Sequence, residues 1–521
     1  MSKLKPLPIS IQHFEKLRKN GCVYVDKTQL IYNLATQGST YFLSRPRRFG
    51  KSLLISTFDA LFSGKKELFD GLWIDQSDWE WKTHPIIRLD MSNMVLDDLD
   101  GHVISIRNRF RDIAAFYGVS LDIVQHPKMV FADLITALSS INPVVVLIDE
   151  YDKPIIDHIS DPEKAIQFRD LMKGFYGCLK DLGSHIRFLF LTGVSKFSKV
   201  SIFSELNHLS DLTMNPFYST LLGYTQDELE SSFSDWIDLS AGSQSLSREN
   251  LLGRMKQWYK GYRFSKKDTL VYNPFSTLRF FEEQQFSNFW FESGTPTFLP
   301  KLMKSQGYDG GSIEAEGVDE AGFSTYEITN LRIPALLFQT GYTTIKDYNP
   351  DTNLFTLGFP NSEVESSFIK YLAETYTSRS AGDIPQLGLL MKKALSEADF
   401  PRLEEIIQSF FASIPYHLHE KASEAYYHTI FYIVFKMMGA KIQAEELTNL
   451  GRIDAVLEFP DKLYVMEFKL DESADAALAQ IKKKQYGQKF RVSSPGKTLY
   501  LLGLAFSRQK RNLSEWKVEV F

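Results

Sequence analysis

The chain has 521 residues, a formal net charge of −5 and a hydrophobic content of 44%. This length accommodates roughly two to four domains, and the composition is that of a folded globular protein. The negative charge excludes a uniformly basic nucleic-acid-binding surface, so contacts with DNA or RNA would depend on local clusters. Basic clusters lie at 45–51 and 482–491, where they can equally form solvated faces. The two cysteines, Cys22 and Cys178, are too few for a disulfide framework or a thiolate zinc site.

No segment of the sequence predicts export or membrane insertion. Residues 1–10, MSKLKPLPIS, lack the apolar core of a signal peptide. No apolar run approaches the ~18 residues that a membrane span requires. We therefore expect a cytoplasmic location, a reducing compartment and no membrane partner.

Residues 1–223 show short apolar runs that alternate with helical patterns. Strands separated by helices need crossover connections, which predicts a mostly parallel α/β sheet. The predicted helices include 52–62 and 165–182. The predicted strands span 40–43, 85–90, 143–149 and 187–192.

The pattern changes in residues 224–387, where helical segments alternate with aromatic-rich loops and no chemical motif stands out. A glycine- and acid-rich stretch at 307–322 is predicted to be a loop or an insertion. Residues 388–521 return to an α/β pattern. In this third region we predict a helix at 423–438, strands at 452–459 and 463–470, and a helix at 474–489.

The octapeptide RPRRFGKS occupies residues 45–52, between a predicted strand and a predicted helix. Backbone N–H groups at such a turn attract phosphate, Lys51 can reach the β- and γ-phosphates, and the Ser52 hydroxyl can help to hold Mg²⁺. Arg45 stands where the GxxxxGK[ST] pattern has its first glycine. A left-handed conformation there would cost a non-glycine residue about 1–2 kcal/mol, so the loop either takes another path or is strained.

Two carboxylates end the apolar strand 144–149 and support the same interpretation. Asp149 can hold Mg²⁺ through water, and Glu150 can activate the attacking water. The alternative is a buried strand that ends in two solvated acids. A phosphate loop followed by an acid-tipped strand favours a site for ATP and Mg²⁺.

Three further residues near this site have open roles. Thr192 ends a predicted strand, so it can sense the γ-phosphate or be an ordinary strand-end threonine. Arg47 and Arg48 flank the phosphate-binding turn. They can contact phosphate or a neighbouring subunit of a homo-oligomer.

A second group of charged residues lies in the two C-terminal strands. Side chains alternate along a strand, so Glu467 and Lys469 share one face, roughly 6.6 Å apart, and Asp454 comes from the paired strand. Two carboxylates beside a lysine can bind Mg²⁺, which activates water for attack on a phosphodiester. A charged, exposed strand edge would look similar. Glu424 and Gln480, on the flanking helices, are either accessory ligands or solvent-exposed residues.

These motifs resemble two known families. YVDKT at 24–28, RPRRFGKS at 45–52 and LIDEYDKP at 147–154 resemble the bacterial AAA-ATPase-like family, in which the loop reads RPRRFGKS and Arg45 is a family trait. Residues 451–470, with Tyr427-His428 before them and 480–486 after them, resemble a PD-(D/E)XK nuclease superfamily domain.

The resemblance implies an N-terminal P-loop NTPase sheet at 1–223, a helical middle or lid region at 224–387 and a restriction-endonuclease-like α/β domain at 388–521. It assigns Lys51, Ser52, Asp149 and Glu150 to a nucleotide site. Members of the family are suspected of roles in mobile elements or in defence against phage. The expected nucleotide-binding residues are Arg48, Phe49, Gly50, Lys51, Ser52, Asp149 and Thr192, and the expected catalytic residues are Glu150, Asp454, Glu467 and Lys469.

Three functions are compatible with these patterns. The first is an ATPase that regulates a Mg²⁺-dependent nuclease acting on DNA or RNA. The second is a nucleotide-dependent binding or assembly switch, with a nuclease-like domain that does not cleave. The third is an interaction protein in which both motifs are accidental.

Overall fold

The structure is a computed structural model. The chain forms two compact units, the first consisting of Met1–Thr295 and Ala315–Val364 and the second of Pro296–Glu314 and Glu365–Phe521. Among the described residues, none of the helices combines the length and apolar character needed to cross a lipid bilayer. The described residues are 4–196, 209–294, 298–314, 317–323, 326–327, 330–378, 383–415, 423–438, 441–448, 451–486, 490 and 496–521.

The helices are distributed along the whole chain. In chain order they are α1 Phe14–Lys19, α2 Thr28–Gln37, α3 Lys51–Phe62, α4 Leu99–Phe116, α5 Pro127–Ser139, α6 Lys153–Ile156, α7 Pro162–Asp181, α8 Gln226–Ser232, α9 Ser234–Ser243, α10 Arg248–Tyr259, α11 Pro274–Glu283, α12 Phe289–Gly294, α13 Phe298–Ser305, α14 Ile333–Thr340, α15 Ser362–Thr377, α16 Asp383–Glu397, α17 Phe400–Ala412, α18 Glu424–Met437 and α19 Ala474–Lys483.

The strands form two five-stranded sheets and three two-stranded ones among the described residues. In chain order they are β1 Thr40–Ser44, β2 Ile86–Asp90, β3 Val144–Asp149, β4 Ile186–Gly193, β5 Ser210–Asp211, β6 Lys260–Tyr262, β7 Val271–Tyr272, β8 Tyr326–Glu327, β9 Asn330–Leu331, β10 Thr344–Asn349, β11 Leu354–Gly358, β12 Lys441–Thr448, β13 Gly451–Glu458, β14 Lys462–Leu470, β15 Thr498–Ser507 and β16 Asn512–Val520.

The first unit is built around a parallel sheet with the strand order β2-β3-β4-β1-β5. Its interior strand β3 is buried along its whole length, as expected for a sheet with both faces covered. Because the strands are parallel, the carboxyl ends of β1, β3 and β4 lie at one edge. The predicted parallel α/β sheet is confirmed, and the short strand β5 adds a member that the sequence did not predict.

The helices α8 to α11 of the first unit pack around an aromatic core. Phe233, Tyr259 and Phe280 are buried there with Leu251 and Met255. A capping box begins α8, in which Thr225 accepts from the backbone N–H of Glu228 and the Glu228 carboxylate accepts from that of Thr225. The structure therefore describes helices in the stretch where the sequence indicated alternating helical segments and aromatic loops.

The second unit contains the sheet β12-β13-β14-β15-β16. Strand β14 pairs antiparallel with β13 and parallel with β15, so the sheet is mixed. The apolar face of α19 covers it through Leu478 and Ile481, which are buried with Val465 and Leu501. Helix α19 ends at Lys483, whereas the predicted helix continued to residue 489. Residues 487–489 and 491–495, with two members of the second basic cluster, lie outside the described residues.

Candidate nucleotide and metal sites

The phosphate loop, residues 45–52, connects β1 to α3. Gly50 is the N-cap residue of α3 with a φ of 94°, and as a glycine it has no side chain with which to cap the helix. The first N–H groups of a helix have no partner within the helix, so this start offers donors to an anion. Arg48 also has a positive φ, 67°. The left-handed conformation thus falls on Arg48 and Gly50.

Arg45, in the place of the missing glycine, is not among the residues with a positive φ. Its buried guanidinium donates to the carbonyl oxygens of Ser44 and Thr213, both at 2.8 Å. It also lies 4.2 Å from the centroid of the Phe264 ring. Burial lowers the pKa of Arg45 to about 9. The loop accepts an arginine here because the position does not need a left-handed backbone, and the side chain ties the loop to neighbouring structure.

The two residues before Gly50 point their side chains at aromatic rings. Phe49 is buried, with ring centroids 4.8 Å from Tyr262 and 5.4 Å from Phe264. The exposed Arg48 places its guanidinium 4.9 Å from the centroid of Phe275. We therefore expect Phe49 to contact a nucleotide through its backbone and not through its ring.

Lys51 lies inside the phosphate loop. Its Nζ donates to the carbonyl oxygens of Arg45 at 3.0 Å and Pro46 at 3.1 Å. The side chain is buried, and burial lowers the pKa of the ammonium, although the charges of Glu150 and Asp149 act in the opposite direction. A buried ammonium held by neutral carbonyls is well placed to exchange them for anionic oxygens.

Strand β1 leads into the phosphate loop, strand β3 ends at Asp149, and β4 is the single strand between them. The loop and the acidic residues that follow β3 therefore lie at the same edge of the sheet. Thr192, at the end of β4, donates from Oγ1 to Oδ1 of Asp149 at 2.7 Å. The backbone N–H of Glu150 donates to the same oxygen at 3.0 Å. Burial raises the pKa of Glu150, and the ammonium of Lys51 partly offsets that effect. The structure thus brings four predicted residues to one edge of the sheet: Lys51, Asp149, Glu150 and Thr192.

Two acids at this edge were missed by the sequence interpretation. Asp90 is in register with Asp149 across β2 and β3. It ends a predicted strand, so the strand-end rule that identified Asp149 could have found it. Asp152 is buried, accepts from the N–H of Ser195 at 2.6 Å and from its hydroxyl at 2.7 Å, and has a pKa raised by burial. A Cβ on Gly193 would lie 2.5 Å from Asp152 Oδ1, so this position requires glycine.

A cavity of about 380 Å³ lies over the phosphate loop. This volume is within the roughly 300–1,000 Å³ of small-molecule pockets. Its polar lining residues include Lys51, Ser52 and Glu150. Its apolar and aromatic lining residues are Pro8, Ile11, Leu53, Tyr224, Pro274, Phe275 and Leu278.

In the second unit, the sheet brings together the three residues predicted for a nuclease site. Asp454 on β13 accepts from the backbone N–H of Phe468 at 2.8 Å through Oδ2. On β14, Lys469 Nζ lies 3.4 Å from Oε1 of Glu467. Gln480 on α19 donates to the same Glu467 oxygen. Glu467 and Lys469 therefore lie on one face of β14, as the alternation of side chains predicts. Gln480, for which the sequence left the role open, contacts the Glu467 carboxylate.

A histidine that spacing alone did not predict completes this group. Helix α18 presents Glu424 and His428 one turn apart. His428 Nε2 lies 3.8 Å from Glu424 Oε1 and 3.7 Å from Asp454 Oδ2. Ligand atoms of these three residues all lie within 4.8 Å of one another. Glu467 lies outside that tight group, and the i, i+4 spacing of Glu424 and His428 was the available sequence signal.

The electrostatics of the group fit a divalent cation. Burial and the charge of Asp454 raise the pKa of Glu467 to about 8, and burial raises the pKa of Asp454. Oε2 of the buried Glu467 and Nε2 of His428 have no hydrogen-bond partner among the described residues. Burial opposes protonation of His428, but its hydrogen bond to Asp309 and the surrounding carboxylates raise its pKa overall. The carboxylate oxygens suit Mg²⁺ or Mn²⁺, whereas the imidazole nitrogen is a ligand for transition-metal ions rather than for Mg²⁺.

Comparison with known proteins gives the class of each unit. Residues 8–203 match a family described as "Predicted AAA-ATPase". Residues 422–516 match the PD-(D/E)XK nuclease superfamily. The chain therefore combines an AAA-ATPase-like domain with a C-terminal PD-(D/E)XK nuclease superfamily domain, and the predicted resemblance and fold class are confirmed.

A relative is found in Azotobacter chroococcum mcd 1 and is named "Uncharacterized protein in vnfD 5'region". The two sequences are 37% identical over an alignment of 533 positions, which covers 99% of each chain. The chain belongs to the family of that protein. No solved structure matches this chain.

Proposed function

We propose that this protein binds and hydrolyses ATP at its phosphate loop and thereby controls a Mg²⁺-dependent nuclease in its C-terminal domain, which cleaves DNA or RNA. The observation that carries the cleaving half is the Glu467 carboxylate, which is 1% exposed and has one oxygen without a hydrogen-bond partner in the described part of the chain. Burying an unpaired carboxylate is costly unless a cation or a proton compensates it. A divalent cation bound there would compensate the carboxylate and would support cleavage of a phosphodiester.

The nucleotide half rests on the uncapped start of α3 and on Lys51. The N–H groups after Gly50 receive the phosphates, and the ammonium of Lys51 exchanges its two loop carbonyls for phosphate oxygens. Ser52 and Asp149 would hold Mg²⁺, which neutralises charge on the phosphates. Thr192 fixes the Asp149 carboxylate through its hydrogen bond. Glu150, with a raised pKa, accepts a proton from the attacking water.

The cavity over the loop supports a nucleotide as the ligand rather than a free phosphate. The triphosphate would lie against Lys51 and Ser52, and Tyr224, Phe275 and Leu278 offer apolar contacts to the flat aromatic base. Aromatic and aliphatic side chains with a few polar groups are typical of ligand pockets.

In the nuclease half, Asp454, Glu467, His428 and Glu424 would hold the cation. Bound there, a divalent cation lowers the pKa of a water molecule and stabilises charge that develops on a phosphodiester. Without it, Glu467 retains a proton near neutral pH, because its pKa is about 8. Lys469, which lies 3.4 Å from Glu467, orients the nucleophile or stabilises the developing charge.

Calorimetry and ATP turnover test the nucleotide half. We expect Lys51→Ala to weaken MgATP binding at least tenfold, because a charge-assisted contact is lost. We expect Glu150→Gln to bind ATP and lose turnover. Lys19→Ala, at an exposed lysine that pairs with Glu15 and does not line this cavity, is the control and should bind ATP as the wild type does. Equal ATP affinity in wild type and Lys51→Ala would contradict the assignment.

A cleavage panel tests the nuclease half. Single- and double-stranded DNA and RNA are incubated with Mg²⁺, with and without ATP. Cleavage should require Asp454 and Glu467, and Asp461→Asn, at an exposed turn acid that precedes β14, should be as active as wild type. Undiminished cleavage by Asp454→Asn would contradict the site. ATP-dependent binding without cleavage by the wild type would support the binding switch instead.

A further inference from the structure

The metal site described above receives one residue from outside the matched nuclease region. The segment 298–314 belongs to the second compact unit, although it precedes residue 422, where the superfamily match begins, by more than a hundred residues. Oδ2 of Asp309 in this segment lies 3.0 Å from Nδ1 of His428. Both side chains are mostly buried, with 16% and 14% exposed.

We propose that Asp309 is a positioning residue for the metal site: it fixes the ring and tautomer of His428 so that Nε2 presents a lone pair to the cation. This inference rests on the proposed nuclease function and adds a residue that lies outside both family matches. An ionised carboxylate only accepts hydrogen bonds, so Nδ1 must carry the proton. In a neutral imidazole the proton-free nitrogen is then Nε2, which lies 3.7 Å from Asp454 and 3.8 Å from Glu424.

The Asp309 carboxylate is itself held in place. Its second oxygen, Oδ1, accepts from the backbone N–H of Gly311 at 2.8 Å, where Asp309 caps the turn Gly310–Ile313. The two oxygens therefore have different partners. A carboxylate that is fixed by backbone can orient a metal-binding histidine, because it cannot rotate without losing a bond.

The whole segment is docked on α18 at the turn that carries His428. The N–H of Gly310 donates to Thr429 Oγ1 at 2.8 Å, and a Cβ on Gly310 would lie 2.8 Å from Thr429 Cγ2. One turn and two turns further along the helix, Glu314 accepts from Tyr432 at 3.2 Å and pairs with Lys436 at 2.7 Å. These contacts set the distance between Asp309 and the imidazole.

The substitution Asp309→Asn tests whether Asp309 sets the tautomer of His428. Only one of its two terminal atoms is an oxygen, and if that oxygen accepts from Gly311, the amide NH₂ faces Nδ1. Such an arrangement forces the proton of His428 onto Nε2, towards the cation. We therefore expect Asp309→Asn to weaken Mn²⁺ binding by about 10- to 100-fold, as loss of an outer-shell partner typically does.

The experiment measures Mn²⁺ binding to the full-length protein by calorimetry and the tautomer of His428 by ¹⁵N NMR in the metal-free protein, at an alkaline pH at which the imidazole is neutral. Asp399→Asn is the matched control, since Asp399 caps α17 in the same unit through the N–H of Arg402. We expect Asp309→Asn to move the proton to Nε2 and to lose affinity, with Asp399→Asn unchanged in both. His428→Ala should lose affinity as well.

Two results would overturn the positioning role. One is Asp309→Asn binding Mn²⁺ within twofold of wild type; the other is a His428 tautomer that is unchanged by the substitution. Failure of the nuclease proposal looks different: Mn²⁺ binding that survives Asp454→Asn, or a metal-binding wild type that cleaves no nucleic acid, while the tautomer still depends on Asp309.

Discussion

The substitution Glu467→Gln should stabilise the metal-free protein while it removes cleavage. Burial and the charge of Asp454 raise the pKa of Glu467 from 4.5 to about 8. Because this pKa is higher in the folded state, the folded state binds the proton more tightly, and the unfolding free energy falls as the pH rises from about 4.5 to about 8. At pH 7 the unfolding free energy is lower, by on the order of 3 kcal/mol, than it is when Glu467 is protonated in both states.

Glutamine has the same shape and no charge to bury. Its amide NH₂ would take the place of the unpartnered Oε2 and needs an acceptor of its own, which costs roughly 1 kcal/mol if it finds none. The expected net gain is about 2 kcal/mol at pH 7, and the gain vanishes as the pH approaches the ordinary pKa of a glutamate.

Urea-dependent amide exchange of β14 peptides, read by mass spectrometry in EDTA at pH 5 and pH 7, measures this local unfolding free energy. Glu458→Gln in the same sheet is the matched control, since Glu458 forms a part-exposed ion pair with Lys497 at 2.7 Å. Its removal should cost up to about 1 kcal/mol. A Glu467→Gln protein that is no more stable than wild type at pH 7 would refute the cost assigned to the buried charge.

Three further substitutions test particular contacts. Thr192→Val removes the hydroxyl that donates to Asp149 and should lower ATP turnover about tenfold or more with little change in ATP affinity, as measured by steady-state kinetics and calorimetry. Gly310→Ala places a Cβ 2.8 Å from Thr429 and should lower the unfolding free energy by about 1–3 kcal/mol, measured by exchange of α18 amides. Arg45→Met leaves the carbonyl oxygens that accept from Arg45 without their donor and should cost about 2–4 kcal/mol, measured by urea unfolding of wild type and variant.

The features that sequence predicts well here depend on local geometry. The phosphate loop was predictable because strand, turn and helix follow one another within a few residues. The shared face of Glu467 and Lys469 follows from the alternation of side chains, which the backbone of any strand imposes. Asp90 could have been found by the rule that identified Asp149, because both residues end predicted strands and the ends of parallel strands meet at one edge of the sheet.

Other features depend on contacts between residues far apart in the chain. Asp309 and His428 are 119 residues apart, and the stretch that carries Asp309 had only a loop-like composition. The cap that Asp152 provides for Ser195 requires the end of β4 to lie over the turn after β3. Helix α19 ends at Lys483 rather than at residue 489, because helix ends are the least specified part of a periodic pattern.

The division into residues 1–223, 224–387 and 388–521, the roles assigned to individual site residues and a homo-oligomeric state remain predictions. Arg47 and Arg48 are the residues through which a neighbouring subunit could contact the nucleotide. Of these two, Arg48 is exposed, and its guanidinium lies over Phe275 at the wall of the cavity.

The most direct test of the central claim is the ATP dependence of cleavage by a single preparation of the full-length protein with Mg²⁺. Wild type should cleave a nucleic-acid substrate at a rate that changes with ATP. Lys51→Ala should lose that response, and Asp454→Asn should lose cleavage with and without ATP. Cleavage by Lys51→Ala that follows ATP as in the wild type, or cleavage that persists in Asp454→Asn, would contradict the proposal of a nucleotide-controlled nuclease.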